Sequence, residues 1–367
     1  MTSRPLLIKG GRVVDPSQGL DEVLDLLLAN GAVFSLAENA GPAVDAREID
    51  ATGLIVTPGL IDPHVHLREP GQEHKETIET GARAAAAGGF TAVCSMPNTD
   101  PPIDDPAAVG FVVAEGKKAE AARVYPMGAI SVNLEGKALS EIGELVEAGA
   151  VAVTDDGLPV MDSSLMRLAL EYAQAFGIPV VDHPEDLTLS HGGTMNEGLI
   201  SSRLGLKGKP NAAEDIHIIR DILLAELTGG RLHLQHVSTR FGVQAIREAK
   251  ARGVRVTGEA SPHHLLLTDE AVEGYRTEAK MNPPLRSEED RQAVVEGLVD
   301  GTLDMVATDH APHHYDEKEA AFADAPNGVV GLETSLGLIH GRAIKGKLGI
   351  LTTGLQTMRQ PGGQIIA

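Results

Sequence analysis

From about residue 54 onward, short apolar runs alternate with longer stretches of mixed polarity. Runs at 54–62, 90–96, 123–130, 150–155, 178–182, 231–237, 254–259 and 303–308 have the length and composition of buried strands. Between them, Thr77 to Ala87, Glu135 to Ala148, Ser163 to Phe176, Ala213 to Leu227, Gly242 to Ala251 and Ser287 to Val299 read as helices, with Pro and Gly at the joints. Strands alternating with helices imply a parallel sheet with right-handed crossovers, and eight is the number that closes a barrel. Residues 6 to about 50 follow another pattern, with short strands at Leu6 to Ile8, Arg12 to Val14, Leu24 to Leu28 and Ala32 to Leu36. Asn30-Gly31 is a hairpin signal between the last two. The expected fold is therefore α/β: a (β/α)8 barrel over 54–345 and a small β-sandwich-like unit over 1–53. An atypical tail at 346–367 lacks amphipathic period, so the C-terminal part is expected to be disordered or incomplete.

Composition sharpens this picture. Of the 367 residues 42% are hydrophobic but only 3% aromatic, and Trp is absent, so the core is expected to be built from Ala, Val, Leu and Ile. A formal net charge of −21 argues against nucleic acid or an anionic membrane surface as a partner. The single cysteine, Cys94, excludes an internal disulfide and fits a reducing, cytoplasmic setting. Neither a signal peptide after Met1 nor a run of membrane-spanning length is visible.

Candidate chemistry gathers at the C-terminal ends of the expected strands, where barrels of this kind carry their sites. His64-Val65-His66 ends the first; on a strand, side chains at i and i+2 share a face, so both imidazoles can address one ion. Asn98 follows the second strand, Asp155-Asp156 the fourth, His183 the fifth, His236 the sixth and His263-His264 the seventh, with Asp309, His310 and His313 after the eighth. Alternation lets only one of Asp155 and Asp156, and one of His263 and His264, face inward. Imidazoles and carboxylates on one rim suit zinc, which takes N and O ligands and, when catalytic, activates water. His191, His217, His233, His310, His314 and His340 are expected to be structural, His233 facing away from His236. Arg68, two residues after His66, is a fork for a carboxylate; Asn98 and the Asn282-Pro283-Pro284-Leu285-Arg286 loop add polar groups beside it. His310 to Lys318 is expected to act as a mobile lid.

These motifs resemble one family closely. Asp62-Pro63-His64-Val65-His66-Leu67-Arg68-Glu69-Pro70-Gly71, Met96-Pro97-Asn98-Thr99, Thr154-Asp155-Asp156-Gly157, Ala260-Ser261-Pro262-His263-His264 and Ala307-Thr308-Asp309-His310-Ala311-Pro312-His313 are similar to the signatures of the dihydroorotases, bacterial type I, in the amidohydrolase superfamily. The resemblance covers about residues 6 to 340 and implies a TIM-type barrel that interconverts N-carbamoyl-L-aspartate and L-dihydroorotate in pyrimidine synthesis. It implies metal ligation by His64, His66, Asp156, His183, His236 and Asp309, with one or two zinc ions, and Asp309 as the proton carrier. It also implies that Arg68, Asn98 and His313 hold the substrate carboxylate and that Asn282 contacts the ring. Asp156, rather than a bridging lysine, marks the type I branch. Relatives read His-Cys-Glu or His-Ala-Glu where this chain has His183-Pro184-Glu185, and they run longer at the C-terminus. Homodimers and complexes with aspartate transcarbamoylase are compatible with the resemblance. The competing readings are a hydantoinase, dihydropyrimidinase or allantoinase, and a non-catalytic subunit supporting that transcarbamoylase.

Overall fold

The computed structural model describes residues 4–41 and 45–343, with side chains as far as His340. By its internal contacts the described chain divides at Leu60/Ile61.

The first unit is one mixed sheet of β1 (Leu6–Asp15), β2 (Leu20–Ala29), β3 (Ala32–Ala37), β4 (Arg47–Asp50) and β5 (Ile55–Val56), ordered β3-β2-β1-β4 with β5 also paired to β1. The two strands expected at 6–8 and 12–14 are a single strand whose register shifts between Ile8 and Gly11. Gly10 supplies the positive φ of +67° that such a bulge uses. Asn30 and Gly31, both with positive φ (54° and 75°), make the expected hairpin turn.

The apolar run at 54–62, expected as one strand, is two. Ile55 and Val56 pair with Arg12 and Val13, and the next strand, β6, begins at Leu60. Between them Pro58 removes a backbone donor, which ends the ladder.

The second unit continues with α1 (Ile78–Ala87), β7 (Phe90–Ser95), α2 (Pro106–Lys118), β8 (Arg123–Pro126), α3 (Ile142–Ala148), β9 (Val153–Thr154), α4 (Ser163–Ala173) and β10 (Val180–Asp182). An excursion of short elements follows: α5 (Leu187–Ser190), β11 (Met195–Asn196), α6 (Leu199–Leu204) and β12 (Gly208–Lys209). The alternation then resumes with α7 (Asn211–Thr228), β13 (Leu232–Leu234), α8 (Arg240–Ala251), β14 (Val256–Ala260), α9 (Pro262–Leu266), α10 (Glu288–Val299), β15 (Met305–Val306), α11 (Tyr315–Lys318) and α12 (Ser335–Ala343). Helix α2 has no counterpart among the expected helices, because Gly110 and Gly116 interrupt an almost uniformly apolar stretch. Its sequence signal is the start: Asp105 caps it, accepting from Ala108 N, and Pro106 occupies the first turn. Helix α3 begins later than expected because Gly136 takes a left-handed φ of 64° and Leu139 bridges back to Ser131.

Strands β6-β7-β8 form one sheet and β15-β14-β13-β10-β9 another, and the pairings β7–β8, β9–β10, β10–β13, β13–β14 and β14–β15 are parallel. Parallel bridges Gly128–Val153 and Val65–His310 join the two sheets at both edges. Aliphatic side chains fill the space between strands and helices, including Val153, Met166, Leu170, Val180, Ile218, Leu234, Ile246 and Leu303, as the aromatic-poor composition requires. Among the described residues no helix is long and apolar enough to cross a membrane. The tail expected at 346–367 lies outside the described residues.

Candidate metal centre and carboxylate pocket

Asp62, in β6, accepts from Thr308 N (3.1 Å) and Thr308 Oγ1 (2.5 Å) beyond β15, and from His64 N (3.2 Å). This buried carboxylate ties the first strand end to the last, so His64 and His66 lie beside Asp309. Burial drives its pKa up to about 6, against those hydrogen bonds. His64 Nε2 lies 3.5 Å from Asp156 Oδ1 and 3.4 Å from Asp309 Oδ1. His66 Nε2 lies 3.1 Å from Asp309 Oδ1 and 3.5 Å from Asp156 Oδ2. Next to them, His183 Nδ1 and His236 Nε2 approach to 2.9 Å, with Asp156 Oδ1 3.8 Å from His183 Nδ1. The six residues therefore form one buried array, with Asp156 between the two pairs of imidazoles. Asp155 points the other way: Ser131 N donates to it at 3.0 Å and the Ser131 hydroxyl also donates.

The outward nitrogens define which nitrogens remain for an ion. His64 Nδ1 faces Glu259 Oε1 at 2.7 Å, His66 Nδ1 faces Asn98 Oδ1 at 3.0 Å and His183 Nε2 faces Glu185 Oε2 at 3.1 Å. A proton on each of these leaves the inward nitrogen with its lone pair, as in carboxylate–histidine–metal arrangements. Strand alternation does not govern His236. Its φ of +30° turns the chain, so Gln235 (Nε2 3.3 Å from His64 Nδ1) and His236 both face the site.

Charge in the array is unbalanced by its carboxylates. Burial opposes protonation of His64, yet Asp309, Glu259 and Asp156 outweigh it and raise its pKa to about 10, so the array draws a positive charge to Nε2 that a bound cation would supply in place of the proton. For Asp309 burial again acts against the charge, while His64 and His66 hold the carboxyl far below the usual carboxylate range. His64 Nε2, turned toward Asp156 and Asp309, is buried without a hydrogen-bond partner. A buried anionic cluster with an orphaned imidazole nitrogen suits a cation, and its nitrogen and oxygen donors are those zinc takes. Two sets of donor atoms, His64/Asp156/His236 and His64/His66/Asp309, each lie within 4.8 Å of one another.

On the rim, Arg68 has φ +64° and is 8% exposed; its Nε donates to Pro312 O at 3.1 Å. His313 Nε2 lies 3.3 Å from Arg68 Nη2 and donates to Asn327 O at 2.7 Å. Burial beside Arg68 lowers the His313 pKa to about 4, so its ring is neutral. Asn98 donates to Asp156 Oδ2 at 3.1 Å while accepting from His66, so it braces the array as well as lining the rim. Asn282 Nδ2 donates to Glu185 Oε2 (2.8 Å) and its Oδ1 accepts from Lys209 Nζ (2.7 Å), which also pairs with Glu185 Oε1 (2.6 Å). His310, expected to be structural, pairs with Glu76 at 2.5 Å, and its carbonyl accepts from His66 N at 2.8 Å. Glu185, Lys209, Gln235 and Glu259 escaped the sequence reading. Of these, Glu259 carried a usable signal, as a lone acid inside an apolar strand.

An α/β chain with a His-x-His on its first core strand, a terminal aspartate and imidazoles between them belongs to the amidohydrolase class. The family described as dihydro-orotase-like matches residues 53–241. The chain is 59% identical over 333 residues to a dihydroorotase of Geobacter sulfurreducens, covering 91% of this chain and 78% of that one. It is 54% identical over 355 residues to a dihydroorotase of Pelobacter propionicus, covering 97% and 82%. Among solved structures, an L-hydantoinase from Arthrobacter aurescens superposes with a TM-score of 0.82 at 27% identity, covering 96% of this chain and 80% of that one. A D-hydantoinase from Thermus sp. gives 0.76 at 26% identity, covering 95% and 79%. The chain belongs to the dihydroorotase family.

Proposed function

We propose that the chain interconverts N-carbamoyl-L-aspartate and L-dihydroorotate, on a closed (β/α)8 barrel with one or two zinc ions at its strand ends. The observation that carries this reading is the convergence of His64, His66, Asp156, His183, His236 and Asp309 in one buried array with Arg68 on its rim. His64 Nε2, His66 Nε2, His183 Nδ1, His236 Nε2 and the carboxylates of Asp156 and Asp309 would hold the metal. Because Asp156 reaches both imidazole pairs, the array suits one ion or two. A divalent cation held there supplies Lewis-acid chemistry, acidifying water and polarising a carbonyl oxygen.

The protein's own groups do the rest. Arg68, whose Nη1 has no protein acceptor among the described residues, takes the substrate α-carboxylate in a charge-assisted fork, and Asn98 and neutral His313 add polar contacts. Asn282, held by Lys209 and Glu185 with its Nδ2 3.1 Å from His183 Nε2, contributes the contact to the ring. Asp309 accepts a proton at its carboxylate from the attacking water and returns it to the ring nitrogen as the amide C–N bond breaks. In the biosynthetic direction the same carboxylate takes the proton from the carbamoyl nitrogen as that bond forms and water leaves.

Structural likeness to hydantoinases favours a second reading, a neutral cyclic amide as substrate. Arg68 argues against it: a buried guanidinium demands an anionic partner. Offering the purified, zinc-supplied chain L-dihydroorotate, dihydrouracil and hydantoin separates the two. Ring opening confined to dihydroorotate is expected; equal kcat/KM on a neutral ring would overturn the proposal.

A further inference from the structure

Beneath the candidate ligands lies Glu259 of β14, 1% exposed, which the reading above leaves without a task. Its Oε1 accepts from His64 Nδ1 at 2.7 Å and from the backbone N–H of His236 at 3.2 Å. Its Oε2 lies 3.0 Å from His233 Nε2, and His233 Nδ1 lies 2.8 Å from Thr257 Oγ1. A buried carboxylate with partners on three other residues is costly to desolvate, and such groups persist where their hydrogen bonds fix something.

Two things are fixed. The first is the tautomer of His64. Gln235 Nε2, at 3.3 Å, competes for Nδ1 as a donor, but an ionised carboxylate at 2.7 Å makes the stronger bond and requires the proton on Nδ1. Nε2 then keeps its lone pair, directed at Asp156 and Asp309, where no proton donor meets it. The second is the turn at His236. Its φ of +30° is a conformation that an unsupported histidine rarely adopts. The bond from its N–H to Glu259 holds that turn, and the turn is what brings its ring to His183.

We propose that Glu259 is a positioning residue that sets two candidate metal ligands at once, the tautomer of His64 and the backbone turn of His236, with His233 orienting it from below. This rests on the metal reading above. A second-sphere partner of this kind typically contributes about 10–100-fold to metal affinity.

The test is zinc affinity by competition with a chromophoric chelator, for the wild-type chain and Glu259→Gln, each checked for folding by circular dichroism. The Co2+-substituted proteins supply a second readout through their d–d absorption. The expected result is about 10-fold or greater weakening of zinc binding with shifted cobalt bands. Wild-type affinity and an unchanged cobalt spectrum in folded Glu259→Gln would overturn the positioning role alone. Should Glu259→Gln not fold, His233→Asn takes its place: a several-fold loss with shifted bands supports the proposal, and unchanged binding and spectrum overturn it. A wild-type chain that binds no zinc would overturn the metal reading itself, and the proposal with it.

Discussion

Replacing Arg68 with Met should cripple substrate capture while leaving the fold intact. The strained φ of +64° is common to both residues, so it cancels between them, and the methionine follows the same aliphatic path. The loss to the protein itself is one hydrogen bond, Nε to Pro312 O, about 1 kcal/mol. The loss to the substrate is larger. Nη1 has no protein acceptor among the described residues, and Nη2 faces a His313 nitrogen already engaged with Asn327 O, so the outer edge of the fork is free for a carboxylate. At an effective dielectric of about 20, opposite charges about 4 Å apart attract by about 4 kcal/mol. After desolvation, truncating one partner of such a pair costs about 2–5 kcal/mol. Asp309 and Asp156 lie close enough to bear on the Arg68 charge, so an anionic substrate without Arg68 also meets unrelieved repulsion. A fall of about 30- to 5,000-fold in kcat/KM for L-dihydroorotate is expected, mostly in KM because the contact is made before and during reaction alike. Arg68→Lys, which keeps charge but loses the fork, should fall between. Initial-rate kinetics of ring opening measure both. A kcat/KM for Arg68→Met within twofold of wild type, or a loss confined to kcat, would refute the carboxylate assignment.

Asp309→Asn keeps the shape of the array but removes the proton acceptor, so kcat should fall by about 100- to 10,000-fold; single-turnover rates near wild type would remove Asp309 from proton transfer. Gly71 has φ +90°, and a Cβ there would stand 1.8 Å from Asp100 O, so Gly71→Ala should destabilise by about 2–4 kcal/mol in urea unfolding, with an unchanged midpoint counting against the packing of that loop. Burial lowers the His217 pKa to about 4, so the unfolded chain binds its proton first as pH falls from about 6.5. His217 therefore costs stability as pH falls through that window, about 2 kcal/mol between pH 7 and pH 5, and this increment should vanish in His217→Gln. Equal pH dependence in the two proteins would show that His217 does not carry it.

The alternation of strand and helix was legible because each strand is a short apolar run, most of them preceded by Gly, and all eight core strands of the described residues fall within or beside the expected runs. Where expectation and structure part, a local backbone event is responsible. Pro58 splits one apolar run between two sheets. Gly10 bends two short runs into one strand. The glycines of α2 hide its period, although Asp105-Pro106 announces its start. In the site, His64, His66, His183, His236 and Asp309 were visible because strand ends are predictable positions. The orientation of Asp156 over Asp155 came from family resemblance, and the structure accounts for it through Ser131, which holds Asp155 away. The braces were hidden. Glu259 meets His64 and Lys209 meets Glu185 across segments separated in sequence, and no local pattern shows which remote group each will meet; Glu185 stands only two residues from the His183 it holds. His233 was expected to face away from His236; the positive φ at His236 breaks that alternation, and Gln235, on the same face as His233, also lies beside His64.

Metal-dependent ring opening at the array of His64, His66, Asp156, His183, His236 and Asp309 is open to a direct test. The most direct measurement is turnover of L-dihydroorotate by the purified chain as prepared, after exhaustive chelation, and after zinc is returned, with bound zinc counted at each stage. Activity that disappears with the metal and returns in proportion to one or two zinc ions per chain is the expected result. Turnover that survives complete removal of metal would contradict it.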